Sequence, residues 1–330
     1  MKSSSGFSKF FKVATGIAAG GPILIVLAII IALLIDSIPV FRFQGFSFFT
    51  GMSWDMGNSY STALTIHGGE KAAFGASFGI LPFILGTLLS SLIAIVIAVP
   101  VALMTALILV YKVPAPLQRI LSPAIELLAG IPSVVYGIWG ILVVAPFVQY
   151  NLAPVLLHLG TIIPFLGGPI QTGFGLLTAG LVLAVMIIPI VTATTRDLLA
   201  QVPKLPMEGA YALGLTSLEG IRFIALPWIR RGLLGAVVLG WGRALGETMA
   251  VLMVSGGAAN MPTNIYSAVT TMASAIAADL DSAMNDYTNM SVHAITGLAL
   301  TLLVITLVTN MVARLLVRIG RKGSDMEVQA

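Results

Sequence analysis

The order of apolar and charged residues divides the chain into long stretches that carry no charge. Uncharged gaps cover residues 13–35, 72–111 and 127–195, and another uncharged stretch covers 287–313. A further apolar stretch, at about 232–255, contains two charged residues. The hydrocarbon core of a bilayer requires about 20 apolar residues in a helix, so each stretch predicts at least one membrane-spanning helix.

Two of these gaps are long enough to hold two helices. The gap at 127–195 contains the polar stretch "YNLAPVLLHLGTIIPFLGGPIQTG", which predicts a loop that divides it into two spans. The gap at 72–111 could form one long helix or two short ones. With one helix there, 14 of the 17 basic residues fall on one side of the membrane, and only Arg42 and Lys71 fall opposite. The positive-inside rule therefore favours six spans with both termini cytoplasmic.

This topology gives a predicted organisation for the whole chain. We expect a cytoplasmic tail at 1–12, a first span at 13–35 and an extracytoplasmic loop at 36–75. A core of five further spans then covers 76–318, and a cytoplasmic tail follows at 319–330. The run at 13–35 exceeds the apolar segment of a signal peptide and no A-x-A-like site follows it, so we expect a retained helix. Composition favours solvated connectors for the outer loops over a contact surface for a partner.

The composition agrees with a polytopic, all-α membrane protein. The 330 residues are 58% hydrophobic and only 9% charged, whereas a soluble protein carries about a quarter charged residues. The chain has no cysteine, which excludes disulfides and thiolate metal sites. Its three histidines are far apart, without the spacing of metal ligands, so no metal site is predicted.

The inner segment between the fourth and fifth spans, 196–231, carries local helix signals. Pro203 and Pro206 are expected to end the fourth helix. The stretch "MEGAYALGL" suits a short helix that ends at Gly214. Thr216 and Glu219 have the spacing of a capping box, which predicts a second short helix that continues into the fifth span. Two short helices at a bend suit a plug for a cytoplasmic partner or an ordinary capped loop, and the pattern alone does not decide.

The same segment resembles the EAA signature of ABC importer permeases, E-A-A-x3-G-x9-I-x-L-P. The matching positions are Glu208, Gly209, Ala210, Gly214, Ile224, Leu226 and Pro227. The one departure is Gly209 in place of the first alanine. The resemblance implies a type I permease fold and a coupling loop that docks into an ATP-binding subunit and transmits nucleotide-driven closure.

Three longer stretches are similar to the PstC-type permease family of phosphate importers. They are "ELLAGIPSVVYGIWG", "GLVLAVMIIPIVTATTRDLL" and "LGWGRALGETMAV". The family implies a bacterial cell-membrane complex with a second, PstA-like permease, two ATP-binding subunits and an extracytoplasmic phosphate-binding protein. The chain has no G-x-x-x-x-G-K-[ST] loop, so ATP would be used by another subunit. We expect no cofactor and no enzymatic activity in this chain, contact with membrane lipid, and no nucleic-acid partner.

Arg243 and Glu247 are the two charges inside the fifth apolar stretch. They are four residues apart, which predicts that they share one helix face. Gly242 and Gly246 beside them have the small-xxx-small spacing that lets a neighbouring helix approach closely. A lone arginine at mid-membrane costs about 2.5–3.5 kcal/mol on insertion scales. The pair could be a buried structural lock or a site on the substrate pathway.

The resemblance favours the pathway, because PstC-type permeases are held to use an arginine and a glutamate at these positions in translocation. Arginine suits phosphate because its planar fork donates to two oxygens. Ser133 and Tyr136 are weaker pathway candidates. They would face the pathway if Pro132 bends the third helix, although such a proline more often forms a packed kink.

We therefore predict a six-span permease subunit of an ATP-driven importer of inorganic phosphate. One alternative is a permease of the same kind for another oxyanion or a phosphonate. An alternative from a different class is a proton-coupled secondary transporter that uses Glu247 as a proton relay.

Overall fold

The computed structural model describes residues 4–58, 61–170 and 172–327. Within them, six helices are long and apolar enough to cross a membrane, as predicted. In chain order the helices are α1 (Ser4–Gln44), α2 (Ser47–Thr50), α3 (Leu81–Tyr111), α4 (Ala115–Ala129), α5 (Ser133–Leu159), α6 (Leu176–Ala200), α7 (Lys204–Ala212), α8 (Ser217–Leu245), α9 (Met249–Val254), α10 (Met272–Met284) and α11 (Met290–Glu327). The six long helices are α1, α3, α5, α6, α8 and α11.

The long gap at 72–111 contains one membrane-spanning helix, as the distribution of lysine and arginine indicated. Helix α3 is continuous over 31 residues and includes Pro100. Two other spans contain π-helical stretches without losing continuity. These stretches are Gly140–Val144 and Val148–Leu152 in α5, and Ile221–Ala225 in α8.

Helix α1 continues beyond the expected start of the outer loop at residue 36. It reaches Gln44, and apolar side chains in this added part of the helix are buried. Val40 and Phe43 are buried, at 0% and 4% exposure, in a cluster on the outer side of the bundle. The charge of Asp36, which marked the expected boundary, lies within the helix instead.

The first outer segment is a packed unit, and the expectation of solvated connectors was wrong for it. Two small antiparallel sheets form there, from β1 (Trp54–Asp55) with β4 (Ser77–Phe78), and from β2 (Leu64–His67) with β3 (Glu70–Ala73). Trp54 lies edge-on to Phe78 and Phe83, with ring centroids 5.6 and 5.2 Å apart. Its Nε1 also donates to Asp279 Oδ2 on α10 at 2.9 Å. The first outer segment is thereby joined to α10.

Helix α4 is a separate helix that the sequence interpretation did not contain. Pro132 was expected to bend the third span, but it lies at the N-cap of α5. Gly130 ends α4, and the residue before a proline is disfavoured in helical conformation, so the chain breaks there. The third span therefore begins at Ser133, and α4 precedes it.

Helix α6 lies at the centre of the bundle. In its most apolar window 72% of the residues are buried, compared with 11% in α1. Glycines permit close approach at its surfaces. A Cβ on Gly180 would lie 2.5 Å from Ile93 of α3, and one on Gly240 of α8 would lie 2.7 Å from Ile187. The core of the fold is therefore the packing of α3, α6 and α8, and α8 carries Arg243.

Candidate functional site

The inner segment forms α7, a glycine turn and the first turn of α8. Helix α6 ends at Ala200, and Pro203 lies at the N-cap of α7. Pro206 was expected to help end the preceding helix, but it lies in the first turn of α7. Proline is tolerated there because the first N–H groups of a helix have no helical partner.

Gly214 terminates this turn in the left-handed conformation, with φ +85°. The Gly214 N–H donates to Tyr211 O at 3.0 Å, and the Leu215 N–H donates to Ala210 O at 3.1 Å. These two bonds form a Schellman motif, which satisfies carbonyl groups at the end of α7. A Cβ at Gly214 would meet no atom within 4 Å, so the requirement for glycine comes from the backbone alone.

The predicted capping box at the start of α8 is confirmed. The Thr216 N–H donates to Glu219 Oε2 at 2.7 Å, and the Glu219 N–H donates to Thr216 Oγ1 at 3.3 Å. Two N–H groups at the helix start are therefore satisfied reciprocally. From this point α8 continues without interruption through Pro227 into the fifth span.

Helix α7 is anchored to the membrane bundle by an inner cluster of buried apolar side chains. The cluster joins the inner ends of α3, α6, α7 and α8, and its buried members are Ala106, Leu199, Met207, Ala225 and Ile229. Ile224 and Leu226, two of the signature positions, pack against it. A force on α7 would consequently act on three membrane helices at once.

The opposite face of this segment is exposed and apolar. Leu205, Leu213 and Leu218 are 80%, 84% and 74% exposed. Glu208 and Gly209 are exposed beside them. A Cβ at Gly209 would meet nothing within 4 Å, so the departure from the signature at this position has no steric cause in this chain.

Arg243 and Glu247 do not share a helix face, which corrects the sequence prediction. Helix α8 ends at Leu245 with Gly246 at its C-cap, and α9 begins at Met249. Two features account for the break. Glycine has low helix propensity, and Glu247 Oε1 accepts a hydrogen bond from the Ala250 N–H at 3.2 Å. This acidic residue therefore lies one position before Thr248, the N-cap of α9, and accepts from an N–H group in the first turn of that helix.

No ion pair or hydrogen bond joins Arg243 to Glu247 in the described part of the chain. Arg243 is exposed on the surface of this single chain, whereas Glu247 is half-buried. The two charges lie on opposite sides of the break and are held by different helices. The arrangement leaves the arginine fork free for another partner.

Arg243 lines a cavity of about 480 Å³ between α6, α8 and α11. The lining includes Ile190, Val238, Leu239, Arg243, Thr306 and Asn310. Arg243 is the one charged side chain of this lining, which is mostly apolar, and Thr306 and Asn310 of α11 add polar groups. Sequence interpretation missed these two residues, although an amide inside the apolar run "LLVITLVTNMVA" is itself a signal.

The prediction of a close helix approach at Gly242 and Gly246 was wrong for Gly246. A Cβ at Gly246 would meet only the carbonyl of Gly242, 3.8 Å away, while one at Gly242 would lie 3.7 Å from Asn310 Oδ1. The tight positions on α8 are instead Gly232 and Gly240, which face α6. The break at Gly246 removes the helical periodicity on which the spacing argument depended.

Tyr136 and Ser133 both belong to α5, which Ser133 begins, and neither residue lines the Arg243 cavity. Tyr136 is buried, and its hydroxyl donates to Leu128 O at 2.9 Å. Helix α5 packs closely on α9, since a Cβ at Gly137 would lie 3.3 Å from Cα of Ala250. The hydroxyl of Tyr136 is thus already engaged in ending α4.

An ionic contact on the inner side was not anticipated. Arg196 Nη2 lies 2.8 Å from Glu126 Oε1 and 2.6 Å from Asp197 Oδ1. The contact ties the end of α4 to the end of α6. All three charges flank the uncharged gap at 127–195, which was the available signal. Because both carboxylates are more than half exposed, the energetic contribution is small, about 0–1 kcal/mol.

Comparison with known proteins gives consistent matches over most of the chain. Residues 98–322 match the family described as "Binding-protein-dependent transport system inner membrane component". The phosphate transport system permease protein PstC 1 of Mycobacterium tuberculosis is 47% identical over 307 residues, covering 92% of this chain and 90% of that protein. PstC of Haemophilus influenzae is 39% identical over 313 residues, covering 93% and 92%.

Solved structures of lower similarity also match. An inward-facing structure of the MetNI methionine ABC transporter is 18% identical with a TM-score of 0.48, and the match covers 73% of this chain and 93% of that chain. The crystal structure of an amino acid ABC transporter is 20% identical with a TM-score of 0.45, and covers 72% and 91%.

Proposed function

Because the chain belongs to the family of binding-protein-dependent transport system inner membrane components, we propose that it is a permease subunit of an ATP-driven importer of inorganic phosphate. The assignment of phosphate as the substrate rests on the 47% identity, over 92% of the chain, to a permease named for phosphate transport. The arginine in the cavity between α6, α8 and α11 supplies matching chemistry.

The proposed assembly contains four kinds of subunit. This chain would form the pathway with a second, PstA-like permease, two cytoplasmic ATP-binding subunits would hydrolyse ATP, and an extracytoplasmic protein would deliver phosphate. This chain would hold no cofactor of its own. Both of its termini would lie in the cytoplasm, which places α7 and the Gly214 turn on the side where ATP is used.

Arg243 is the proposed phosphate ligand. Its guanidinium donates several N–H bonds in a planar fork that fits two oxygens of one phosphate. Arg243 is exposed on this single chain but belongs to a membrane-spanning helix, and a charged residue in such a helix is costly unless it faces a pathway or a partner. The absence of an ion pair to Glu247 among the described residues supports a pathway role over the structural lock.

Glu247 is the proposed regulator of phosphate release. A conductive site must bind its ion strongly enough to admit it and weakly enough to release it. A carboxylate four residues along the chain from the ligand lowers the affinity for an anion. It also offers the arginine an alternative partner after the anion leaves, provided that the side chain gives up the Ala250 N–H.

The α7 segment is the proposed contact with the ATP-binding subunit. Three exposed leucines, Leu205, Leu213 and Leu218, give it an apolar surface that is costly to leave in water. The inner cluster beneath connects that surface to α3, α6 and α8. Closure of the ATP-binding subunits would thereby move α6 and α8, two of the three helices that line the Arg243 cavity.

The test is uptake by vesicles that contain the complete complex. We expect uptake of radiolabelled phosphate that requires ATP and the binding protein and persists when the proton gradient is collapsed. Sulfate, molybdate and a phosphonate serve as matched substrates. Preferential uptake of one of these anions would identify it, and not phosphate, as the substrate. Uptake driven by a proton gradient without ATP would refute the proposed function.

A further inference from the structure

The wall of the Arg243 cavity formed by α11 carries two polar side chains in an otherwise apolar stretch. Thr306 and Asn310 are four residues apart, so they lie on one helix face. Both line the cavity together with Arg243. A polar group at such a position costs free energy unless it finds a partner, and an intramembrane polar residue is therefore a candidate for function.

The two side chains differ in how far their hydrogen-bonding groups are already used. The Thr306 hydroxyl donates to Leu302 O of its own helix at 2.8 Å. The Asn310 amide has no hydrogen-bond partner within the described residues. It is half-buried, and its Oδ1 would lie 3.7 Å from a Cβ on Gly242, the residue next to Arg243.

We propose that Asn310 is a second ligand of the transported oxyanion, in the cavity that Arg243 also lines. The inference rests on the proposed function and names a residue that completes the same site. An amide suits inorganic phosphate because it carries both a donor and an acceptor. Its Nδ2 donates to a deprotonated oxygen, and its Oδ1 accepts from the P–O–H group that phosphate retains near neutral pH.

A neutral acceptor at this position has an advantage over a carboxylate. A carboxylate would accept from P–O–H but would also repel the anion and pair with Arg243. Sulfate, which is fully deprotonated near neutral pH, has no proton to donate to Oδ1. The amide therefore adds a contact that depends on the chemistry of phosphate.

The two ligands belong to different helices, Arg243 to α8 and Asn310 to α11. The anion is held by both only while the two helices keep their present spacing. A change in that spacing would remove one ligand and leave the other. Binding that is strong in one arrangement and weak in another satisfies the requirement that an ion must be able to leave.

The test uses the complete importer in vesicles with its binding protein, and it measures phosphate uptake and ATP hydrolysis in the same sample. Asn310→Leu removes the donor and the acceptor at similar volume. Asn310→Asp keeps an acceptor and adds a negative charge beside Arg243. Thr309→Val is the matched control, because Thr309 is adjacent in sequence and does not line this cavity.

We expect both Asn310 variants to lower the phosphate transported per ATP hydrolysed by about tenfold or more, the scale of losing a hydrogen bond to a charged group. The Thr309 variant should keep the wild-type ratio. A merely structural role would reduce the amount of complex without changing this ratio. If Asn310→Leu does not assemble, Asn310→Asp decides, because aspartate keeps the size of the side chain and an oxygen that accepts a hydrogen bond.

Wild-type ratios in an assembled Asn310 variant would overturn the inference and leave the proposed function intact. Failure of the wild-type importer to transport phosphate, with ATP hydrolysis present, would instead remove the proposed function and this inference with it.

Discussion

The Glu247 carboxylate accepts a hydrogen bond from the backbone N–H of Ala250, with 3.2 Å between Oε1 and the nitrogen. Ala250 lies in the first turn of α9, so the carboxylate satisfies one of the free N–H groups of that helix. Arg243 lies on the other side of the break, near the end of α8. Each charge can therefore be changed without removing a bonded partner of the other.

The hydrogen bond from Ala250 to Glu247 predicts different outcomes for two substitutions of Glu247. Glu247→Gln keeps an oxygen that accepts from the Ala250 N–H, so the complex should assemble normally. Glu247→Ala removes the acceptor and should cost about 1 kcal/mol of stability. The thermal unfolding midpoint of the purified complex measures the difference. In transport, the glutamine variant should bind phosphate but release it more slowly, and release at the wild-type rate would contradict the role given to the carboxylate.

The positive φ of Gly214 predicts a specific loss of coupling in Gly214→Val. A β-branched residue in the left-handed conformation costs at least about 1–2 kcal/mol, which would unfold the Schellman turn. The membrane helices should remain folded while binding of the ATP-binding subunit or its stimulated ATPase activity falls. Co-purification and ATPase assays measure these two quantities.

Gly209→Ala is the matched control for that experiment. A Cβ at Gly209 meets no atom and the residue lies inside α7, so alanine should stabilise the helix by up to about 1 kcal/mol. We expect full coupling in this variant. Full transport and full ATPase stimulation in Gly214→Val would show that the turn is not part of the contact with the ATP-binding subunit.

The proposed orientation predicts the side from which two introduced cysteines are labelled. The chain has no cysteine, so single substitutions give unambiguous labelling. Ser217 and Ser282 are both exposed, at the start of α8 and near the end of α10. A membrane-impermeant thiol reagent should reach Ser217→Cys only from the cytoplasmic side and Ser282→Cys only from outside. Labelling of both from one side would contradict the six-span topology.

The contact between Trp54 and Asp279 predicts a pH dependence of stability in the outer segments. Burial raises the pKa of Asp279, and the hydrogen bond from Trp54 Nε1 offsets only part of that rise. The contribution of this group to stability is therefore complete below its unfolded pKa and is lost as the pH rises through its folded pKa. For the wild type, the thermal unfolding midpoint should rise on going from neutral to mildly acidic buffer. Asp279→Asn should raise the midpoint at neutral pH and make that rise on acidification smaller.

Asp286 provides the control of opposite sign. Burial alone would raise its pKa, but hydrogen bonds from Ser291 and Thr288 outweigh that effect and lower it. Its contribution is present above the unfolded pKa and is lost as the pH falls through the folded pKa. Asp286→Asn should therefore destabilise the complex at neutral pH. Shifts of the same sign in the two variants would contradict the assigned environments.

Features that depend on local sequence were predicted well. Uncharged gaps gave the number of spans because the length of an apolar helix must match the bilayer. The capping box at Thr216 and Glu219 and the turn at Gly214 were predicted because each depends on residues within one helical turn.

Features that depend on tertiary contacts were not predictable in the same way. The Trp54–Asp279 hydrogen bond joins residues 225 positions apart, and no local pattern contains that information. The break at Gly246 was missed because a glycine in an apolar run is equally consistent with close helix packing. The hydrogen bond between the Glu247 side chain and the Ala250 N–H, which belongs to the start of α9, appears only in the folded structure.

The most direct test of the central claim is phosphate uptake by the double variant Arg243→Gln with Glu247→Gln, compared with both single variants. In the part of the chain that the structure describes, no ion pair joins Arg243 to Glu247. All three variants should therefore assemble and hydrolyse ATP. If Arg243 is the phosphate ligand, the double variant should transport no more phosphate than Arg243→Gln alone, which should be inactive. Uptake by the double variant at the wild-type rate would contradict the ligand role of Arg243.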